Sequence, residues 1–374
     1  MLRLALVRRR LLVVLVGFGL ILLVVRPRNH NKSSSRLGTP EDALEILGTD
    51  LKLLEPRDAG EAKLILSNNP DLTQANLGGC PDLNCRVLSS QPRSGSYDAF
   101  SAFIDAPPTG LKMHQYNVFF SQEAPSSDQP RNGLYNLTMS YRFDSDLPSP
   151  YGYTIRRSTP LVHYQLNSSE LGNKTHGAAW FASNCLTESA REVYVSALQK
   201  LFPVDIFGDC GTLYCELSND AVCNDLVANN YRFYLAFENN VCKDYITEKL
   251  WLRGFGSKVV PVVLKRSIVE PYAPPRSFIA VDDFKSVGEM ASYLKSLMRD
   301  DRAYQQYFEW RRDYQVIFLD GNNHDWKERP WGLCRLCQLL WHKPPVRIVH
   351  TDEDLVKWWV DEANCQQDFA AKFV

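Results

Sequence analysis

Six polar residues crowd one short stretch of this 374-residue chain: Glu238, Asn239, Tyr245, Thr247, Glu248 and Lys249. Carboxylates, an amide, hydroxyls and an ammonium set so close suit an anionic ligand rich in hydroxyls. A Lys one turn into a helix, beside the free amides of the helix N-terminus, suits a phosphate. Three other features carry chemistry by residue type. Glu123, in Phe119-Phe120-Ser121-Gln122-Glu123-Ala124-Pro125, follows an apolar run and by itself reads as a solvated loop carboxylate. Asp144-Ser145-Asp146 is a DxD pattern of the kind that holds a divalent metal against a diphosphate, and it also arises often by chance. Cys334-x-x-Cys337 is half a zinc site, with Cys210 and Cys215 as the candidate other half, or else a disulfide.

Residues 231–264 must position the six. They read as strand, loop, helix, strand. Residues 233–237 are an apolar aromatic run. Asp244 is placed to cap a helix beginning near Tyr245. Ile246, Leu250 and Gly254 share one face of that helix, Gly254 and Gly256 end it, and residues 258–264 form a second apolar strand. Two parallel strands joined by a helix bind ligands beyond their carboxyl ends, where the polar cluster lies. Further strands are expected at 63–66, 99–104, 116–120, 134–141 and 161–164. A second α/β domain begins near Ala178, with strands at 178–183 and 204–208 around a helix at 188–201. Arg191 on that helix reads, unaided, as a surface residue. Trp251 and Trp310 read as core.

The wording of these segments says more than their periodicity. FYLAFENN, DYITEKLW and VVPVVL, followed in order by SFIAVDDF and YFEWRR, resemble the signature of the α1,3-fucosyltransferases that use GDP-fucose, glycosyltransferase family 10. The resemblance implies an α/β fold of GT-B architecture, two Rossmann-like domains facing a cleft. It implies inverting transfer of L-fucose from GDP-β-L-fucose to a glycan hydroxyl. Position 3 of a GlcNAc on N-glycans is the expected site, and Cys80-Pro81-x-x-x-Cys85 leans toward the invertebrate and plant enzymes that modify the glycan core. Glu123 takes the place of the general base, because inversion needs a group to accept the proton of the attacking hydroxyl. Ala124 departs from the Ser usual in the family. Arg191, Asn239, Tyr245, Glu248 and Lys249 fall on positions that contact the donor, Arg191 and Tyr245 at the phosphates and Glu248 at sugar hydroxyls. No cofactor is required on this reading, and no metal: the family also carries the DSD run without using it as a metal site. The resemblance favours a disulfide for Cys334 and Cys337. Fucosylation of a protein side chain, or an inactive glycan-binding member of the family, are the alternatives.

The balance of the chain fits a membrane-anchored luminal enzyme. With 42 basic and 43 acidic residues, the net charge of −1 suggests no nucleic-acid partner. Residues 1–10 read as a basic cytoplasmic tail and residues 11–25 as an apolar signal anchor, since no small-residue cleavage site follows. Residues 26–55 are a polar stem, 56–175 an acceptor-binding domain, 176–345 the GDP-fucose-binding domain and 346–374 a C-terminal tail. The sequons at Asn136, Asn167 and Asn173 place the bulk of a single-pass type II Golgi protein in the lumen. Ten cysteines suit that compartment, with Cys80 and Cys85, and Cys334 and Cys337, the closest local pairs and Cys242 either paired or inert.

Overall fold

Apolar runs too short to be helices become two parallel sheets. The computed structural model describes residues 60–70, 72–91, 97–102, 115–125, 135–215, 220–321, 327, 331–342 and 350–374. The expected tail, anchor and stem lie outside these residues.

The first sheet runs β2 (Cys85–Leu88), β1 (Lys63–Ser67), β3 (Ala99–Ala102), β4 (Tyr116–Ser121), β5 (Leu137–Ser140) and β6 (Leu147–Pro148), every neighbouring pair parallel. Its centre, β4, is buried from Asn117 to Ser121. A parallel sheet is covered on both faces, so its inner strands carry near-continuous apolar runs in place of an alternating pattern. Side chains of Ile65, Val118, Phe120 and Met139 fill one face of this core.

The second sheet runs β12 (Ile279–Ala280), β11 (Val260–Val263), β10 (Tyr231–Leu235), β8 (His176–Phe181) and β9 (Val204–Phe207), again parallel throughout. All five residues of β10 are buried, with Phe233 opposite Val260 on one side and Ala178 on the other. The helix Val287–Arg299 buries Val287, Met290, Ala291, Leu294 and Leu297, one stripe at three- and four-residue spacing. The loops after β8, β10 and β11 leave the same edge of the sheet because the strands are parallel.

An antiparallel pair, β7 (Gly152–Arg156) and β13 (Tyr314–Phe318), follows neither sheet's pattern and was not legible as strands. Gly152 is required there: a Cβ would lie 2.6 Å from the Trp251 ring and 2.7 Å from the Ile317 carbonyl oxygen. Trp251 and Trp310 are core, as their sequence context suggested.

Three expectations change. Residues 161–164 form no strand: Val162 is fully solvent-exposed, and the apolar run meets no sheet edge, because β7 already occupies β13. The helix Gly332–His342, expected with the second domain, buries Leu333, Leu336 and Leu340 in the core of the first sheet. The two expected local pairs of cysteines are exchanged for pairs across the chain. Cys80 joins Cys334, Cys85 joins Cys337, and Cys185–Cys210, Cys215–Cys223 and Cys242–Cys365 use the remaining six. Cys334 and Cys337 lie on one helix at i and i+3, where Cβ atoms stand about 5–6 Å apart, too far for a disulfide's roughly 3.5–4.5 Å. Both therefore point from one helical face at the loop and strand that carry Cys80 and Cys85. With every cysteine paired, no thiolate remains for a zinc site.

Candidate active site

Glu123 leaves the carboxyl end of β4 and stands exposed to solvent. Its backbone is fixed by Ser121, whose hydroxyl accepts from the Glu123 amide and donates to the Glu123 carbonyl, both at 3.2 Å. Next to it, Gln122 donates to the Ser149 carbonyl at 2.7 Å and accepts from the Tyr151 hydroxyl at 2.9 Å. An exposed carboxylate on a pinned backbone is available to a reactant without being free to wander.

Across from it runs the loop after β10. Tyr245, 3% exposed, donates its hydroxyl to Glu123 Oε2 at 2.9 Å. Burial, then the nearby Tyr151 and Glu123, hold the Tyr245 hydroxyl well above the usual phenol range, so it is a donor. The hydroxyl expected at a phosphate is here bonded to the Glu123 carboxylate. Asp244 adopts a left-handed conformation, φ 61°, and does not cap the helix. Its carboxylate accepts from the Phe143 amide at 3.2 Å and the Tyr272 hydroxyl at 2.8 Å. Tyr272 in turn stacks on Phe143, 4.0 Å between centroids. The helix starts later than expected, with Asp244 held by Phe143 and Tyr272 and Tyr245 by Glu123.

Glu248 opens that helix, and Lys249–Gly254 winds as a π-helix, a form that often marks functional positions. The Lys249 ammonium sits 2.9 Å from the Thr247 hydroxyl and 3.1 Å from both Glu238 and Glu248. Burial would lower the Lys249 pKa, but the two carboxylates outweigh it and hold it above the ordinary lysine value. Burial pushes Glu238 up, whereas for Glu248 the opposing lysine wins and its carboxyl is held low. Glu238 also accepts from the Thr247 amide at 2.7 Å. It was read as part of the polar cluster without a role; its role here is to seat Thr247 and Lys249.

Arg191 is buried, not on the surface. It donates to the Phe237 carbonyl at 2.6 Å and the Asn184 carbonyl at 3.2 Å, with its guanidinium 5.6 Å from the Trp180 ring. Its Nε, and Oδ1 of Asn239, are buried polar atoms with no protein partner. Burial lowers the Arg191 pKa, and Glu238 works against that. A leftover donor and a leftover acceptor near one ammonium fit a polar anionic ligand. Thus Arg191, Asn239, Tyr245, Glu248 and Lys249 do gather at one edge of the second sheet, with Glu123 brought to it from the first.

Two family descriptions match this chain: "Glycosyltransferase family 10 (fucosyltransferase) C-term" over residues 171–358, and "Fucosyltransferase, N-terminal" over residues 60–152. The chain belongs to glycosyltransferase family 10. Among the relatives of this family 10 chain is the α-(1,3)-fucosyltransferase fut-1 of Caenorhabditis elegans, 42% identical over 342 residues, 88% of this chain and 77% of that protein. The α-(1,3)-fucosyltransferase C of Drosophila melanogaster is 34% identical, covering 77% and 72% of the two chains. Human 4-galactosyl-N-acetylglucosaminide 3-α-L-fucosyltransferase FUT5 is 41% identical over 70% of this chain and 66% of its own. A crystal structure of an α1,3-fucosyltransferase with GDP shares the fold, with TM-score 0.53 and 17% identity over 81% of this chain and 96% of that one.

The DSD carboxylates of this family 10 chain turn apart. Asp144 takes a two-pronged contact from Arg142, at 2.9 and 2.8 Å, and a third from Lys243 at 2.7 Å. Asp146 accepts from the amide and hydroxyl of Thr138, at 2.8 and 2.9 Å, and lies 3.2 Å from His350 Nε2. Each is committed to fixing the chain. Of the sequons, Asn167 and Asn173 are exposed, while Asn136 is 1% exposed and its side chain accepts from the Asn117 amide at 3.0 Å. A glycan has no room at Asn136, which corrects that expectation.

Sequence reasoning missed the C-terminal residues. Read as a tail, residues 350–374 instead carry Trp359, which packs on Phe119 and Tyr141, and Cys365, bonded to Cys242. The signal was an unassigned Cys at each end of that bond.

Proposed function

We propose that this chain transfers L-fucose from GDP-β-L-fucose to O3 of a GlcNAc on N-glycans, with inversion to the α-linkage. The observation that carries it is the meeting of Glu123 with the loop that leads to Lys249. The acceptor hydroxyl gives its proton to the Glu123 carboxylate as its oxygen attacks the anomeric carbon. The bond from that carbon to the diphosphate breaks on the opposite face, and GDP leaves with the electron pair. Arg191 and Lys249 take up the charge on the departing diphosphate. Asn239 and Glu248 meet donor hydroxyls. Membership of family 10 and the α1,3-fucosyltransferase names of its relatives support the reaction.

The architecture we propose is GT-B, with an acceptor domain built on the first sheet together with the helix Gly332–His342 and a donor domain built on the second sheet, the two facing a cleft. We place the chain in the Golgi membrane as a type II protein anchored by residues 11–25. Five disulfides and the exposed sequons at Asn167 and Asn173 support a luminal, oxidising setting. On this reading Arg191 and Lys249 meet the charge of the diphosphate and no metal is required.

The test incubates the full-length protein with GDP-fucose and N-glycans bearing either a bare core GlcNAc or an outer LacNAc. Transfer to O3, read by mass spectrometry and linkage analysis, is expected. Absence of transfer to either glycan refutes the reading. Activity should persist in EDTA; loss that manganese restores, copied by Asp144→Ala, would return the DSD run to a metal role.

A further inference from the structure

We propose that residues 363–370 are a strap, pinned by Cys242–Cys365, that positions the Tyr245 hydroxyl against Glu123. This rests on the reading of Glu123 as the base, and it adds residues that no part of that reading uses.

The strap holds three consecutive residues of the loop after β10. The Gln366 amide donates to the Val241 carbonyl at 2.9 Å, Cys365 is bonded to Cys242, and the Lys243 amide donates to the Ala363 carbonyl at 2.8 Å. Beyond the loop it continues over the segment that precedes Arg191. The Asp368 amide donates to the Glu188 carbonyl at 2.8 Å and the Ala370 amide to the Ser189 carbonyl at 3.0 Å. Phe369 and Ala370 end in the core of the second sheet.

The same C-terminal stretch reaches Tyr245 from its other side. Trp359, fully buried, lies 5.2 Å from the Phe119 ring and 5.6 Å from Tyr141. Tyr141 stands edge-on to Tyr245 at 4.9 Å. Trp358 contributes its carbonyl to Arg142, whose guanidinium also lies 4.5 Å from its ring. Tyr245 is thus approached through its loop and through its ring by one piece of chain.

The loop needs holding. Asp244 sits between the pinned residues and Tyr245 in a conformation that most residues avoid, and such a conformation persists only where its surroundings over-determine it. A base and its orienting donor must also stay aligned: a shift of about 1 Å can cost on the order of a hundredfold in rate. Loss of the strap should therefore lower turnover while sparing the donor site on the helix Lys249–Gly254, which has its own contacts to Glu238 and Thr247.

The test compares full-length wild type with Cys242→Ala/Cys365→Ala, and with Cys215→Ala/Cys223→Ala as a disulfide removed elsewhere. We expect the strap variant to lose about tenfold in kcat, no more than Tyr245→Phe, with GDP affinity within about twofold of wild type, and the other pair to keep its kcat. The deciding readout is additivity. In a Tyr245→Phe background the strap variant should cost less than about a further twofold, because both changes act through one hydroxyl. A full multiplicative loss in that background assigns the strap a merely structural role and overturns the proposal, as does wild-type kcat in the strap variant.

A second arm needs no variant. Cys365 is the exposed one of the ten cysteines, so glutathione followed by alkylation should label it first. Turnover should fall in step with that label while GDP binding persists; labelling without loss of turnover overturns the proposal. If wild type moves no fucose, or if Glu123→Gln keeps full kcat, the activity reading fails in its own right and the strap's role falls with it.

Discussion

The Tyr245 hydroxyl donates to the Glu123 carboxylate at 2.9 Å, joining the loop after β10 in the second sheet to the end of β4 in the first. The two residues have opposite exposures: the phenol is buried and the carboxylate is open to solvent. One side of the carboxylate is therefore oriented by the protein, and the rest is open to solvent.

Glu123→Gln keeps the size and the contact but cannot take a proton, so turnover should fall roughly 10²–10⁴-fold with GDP affinity retained. Tyr245→Phe removes a hydrogen bond to a charged group, which contributes about 1.5–3 kcal/mol. Water can replace it at an exposed carboxylate, so the expected loss is the low end, about tenfold in kcat. Steady-state kinetics with a GDP titration measures both. An unchanged kcat in Glu123→Gln places the base elsewhere.

Lys249→Ala should weaken GDP binding and lower the melting temperature together. Glu238 is buried, and removing Lys249 leaves its charge without that ion pair, held by the Thr247 amide and hydroxyl, a loss of up to about 3–5 kcal/mol. The carboxyl can escape part of that by protonating. Its folded pKa is already raised by burial, so the folded state binds more protons than the unfolded one and stability falls as pH rises through that range. The deficit of Lys249→Ala should thus be smaller near pH 5 than near pH 8. Adding Glu238→Gln should recover melting temperature but not GDP affinity. A deficit independent of pH would show that the lost stability does not come from Glu238.

His350 pairs with Asp146 at 3.2 Å, and its backbone amide donates to the Tyr135 carbonyl at 2.7 Å. Asp146, its closest partner, raises the His350 pKa, with burial opposing and Asp354 adding to the rise. A raised histidine contributes stability that is fully present below its unfolded value, about 6.5, and is lost as pH climbs through the folded value. Asp146 is held low, so its contribution is present above the unfolded value and lost in acid. The melting-temperature gap between wild type and His350→Gln should be widest near pH 5–6 and close toward pH 8. A gap that grows with pH would contradict the ion pair.

Glycopeptide mapping after expression in animal cells should find glycans on Asn167 and Asn173 and an unmodified Asn136. Asn167 caps the helix Ser168–Asn173 by accepting from the Glu170 amide at 2.8 Å, which leaves its nitrogen outward. Full occupancy of Asn136 would mean that the start of β5 is not buried as described.

Much of the second sheet was legible because its strands are buried on both faces. The apolar runs at 233–237 and 258–264 were read as strands, and the strands observed there, Tyr231–Leu235 and Val260–Val263, overlap them, the first beginning two residues earlier through Arg232. The π-helix start was not legible, because Asp244 is spent on Phe143 and Tyr272, residues about 100 and 28 positions away. The pair β7 and β13 failed for the same kind of reason: its stabilisation comes from a partner some 160 residues distant, and a local window holds no trace of it.

By itself the sequence determined the family, the residues of the candidate site and the oxidising habit of ten cysteines, since these depend on residue type and order along short stretches. Only the tertiary structure decided how the cysteines pair, that Arg191 and Asn136 are buried, and that the C-terminal residues pack against the loop before Tyr245. Each of those is set by distances in space between segments up to 254 residues apart. Local pattern carries hydrophobic period and turn chemistry, whereas contact between remote segments is fixed only when the sheets and helices pack, and the bond from Tyr245 to Glu123 exists only because they do.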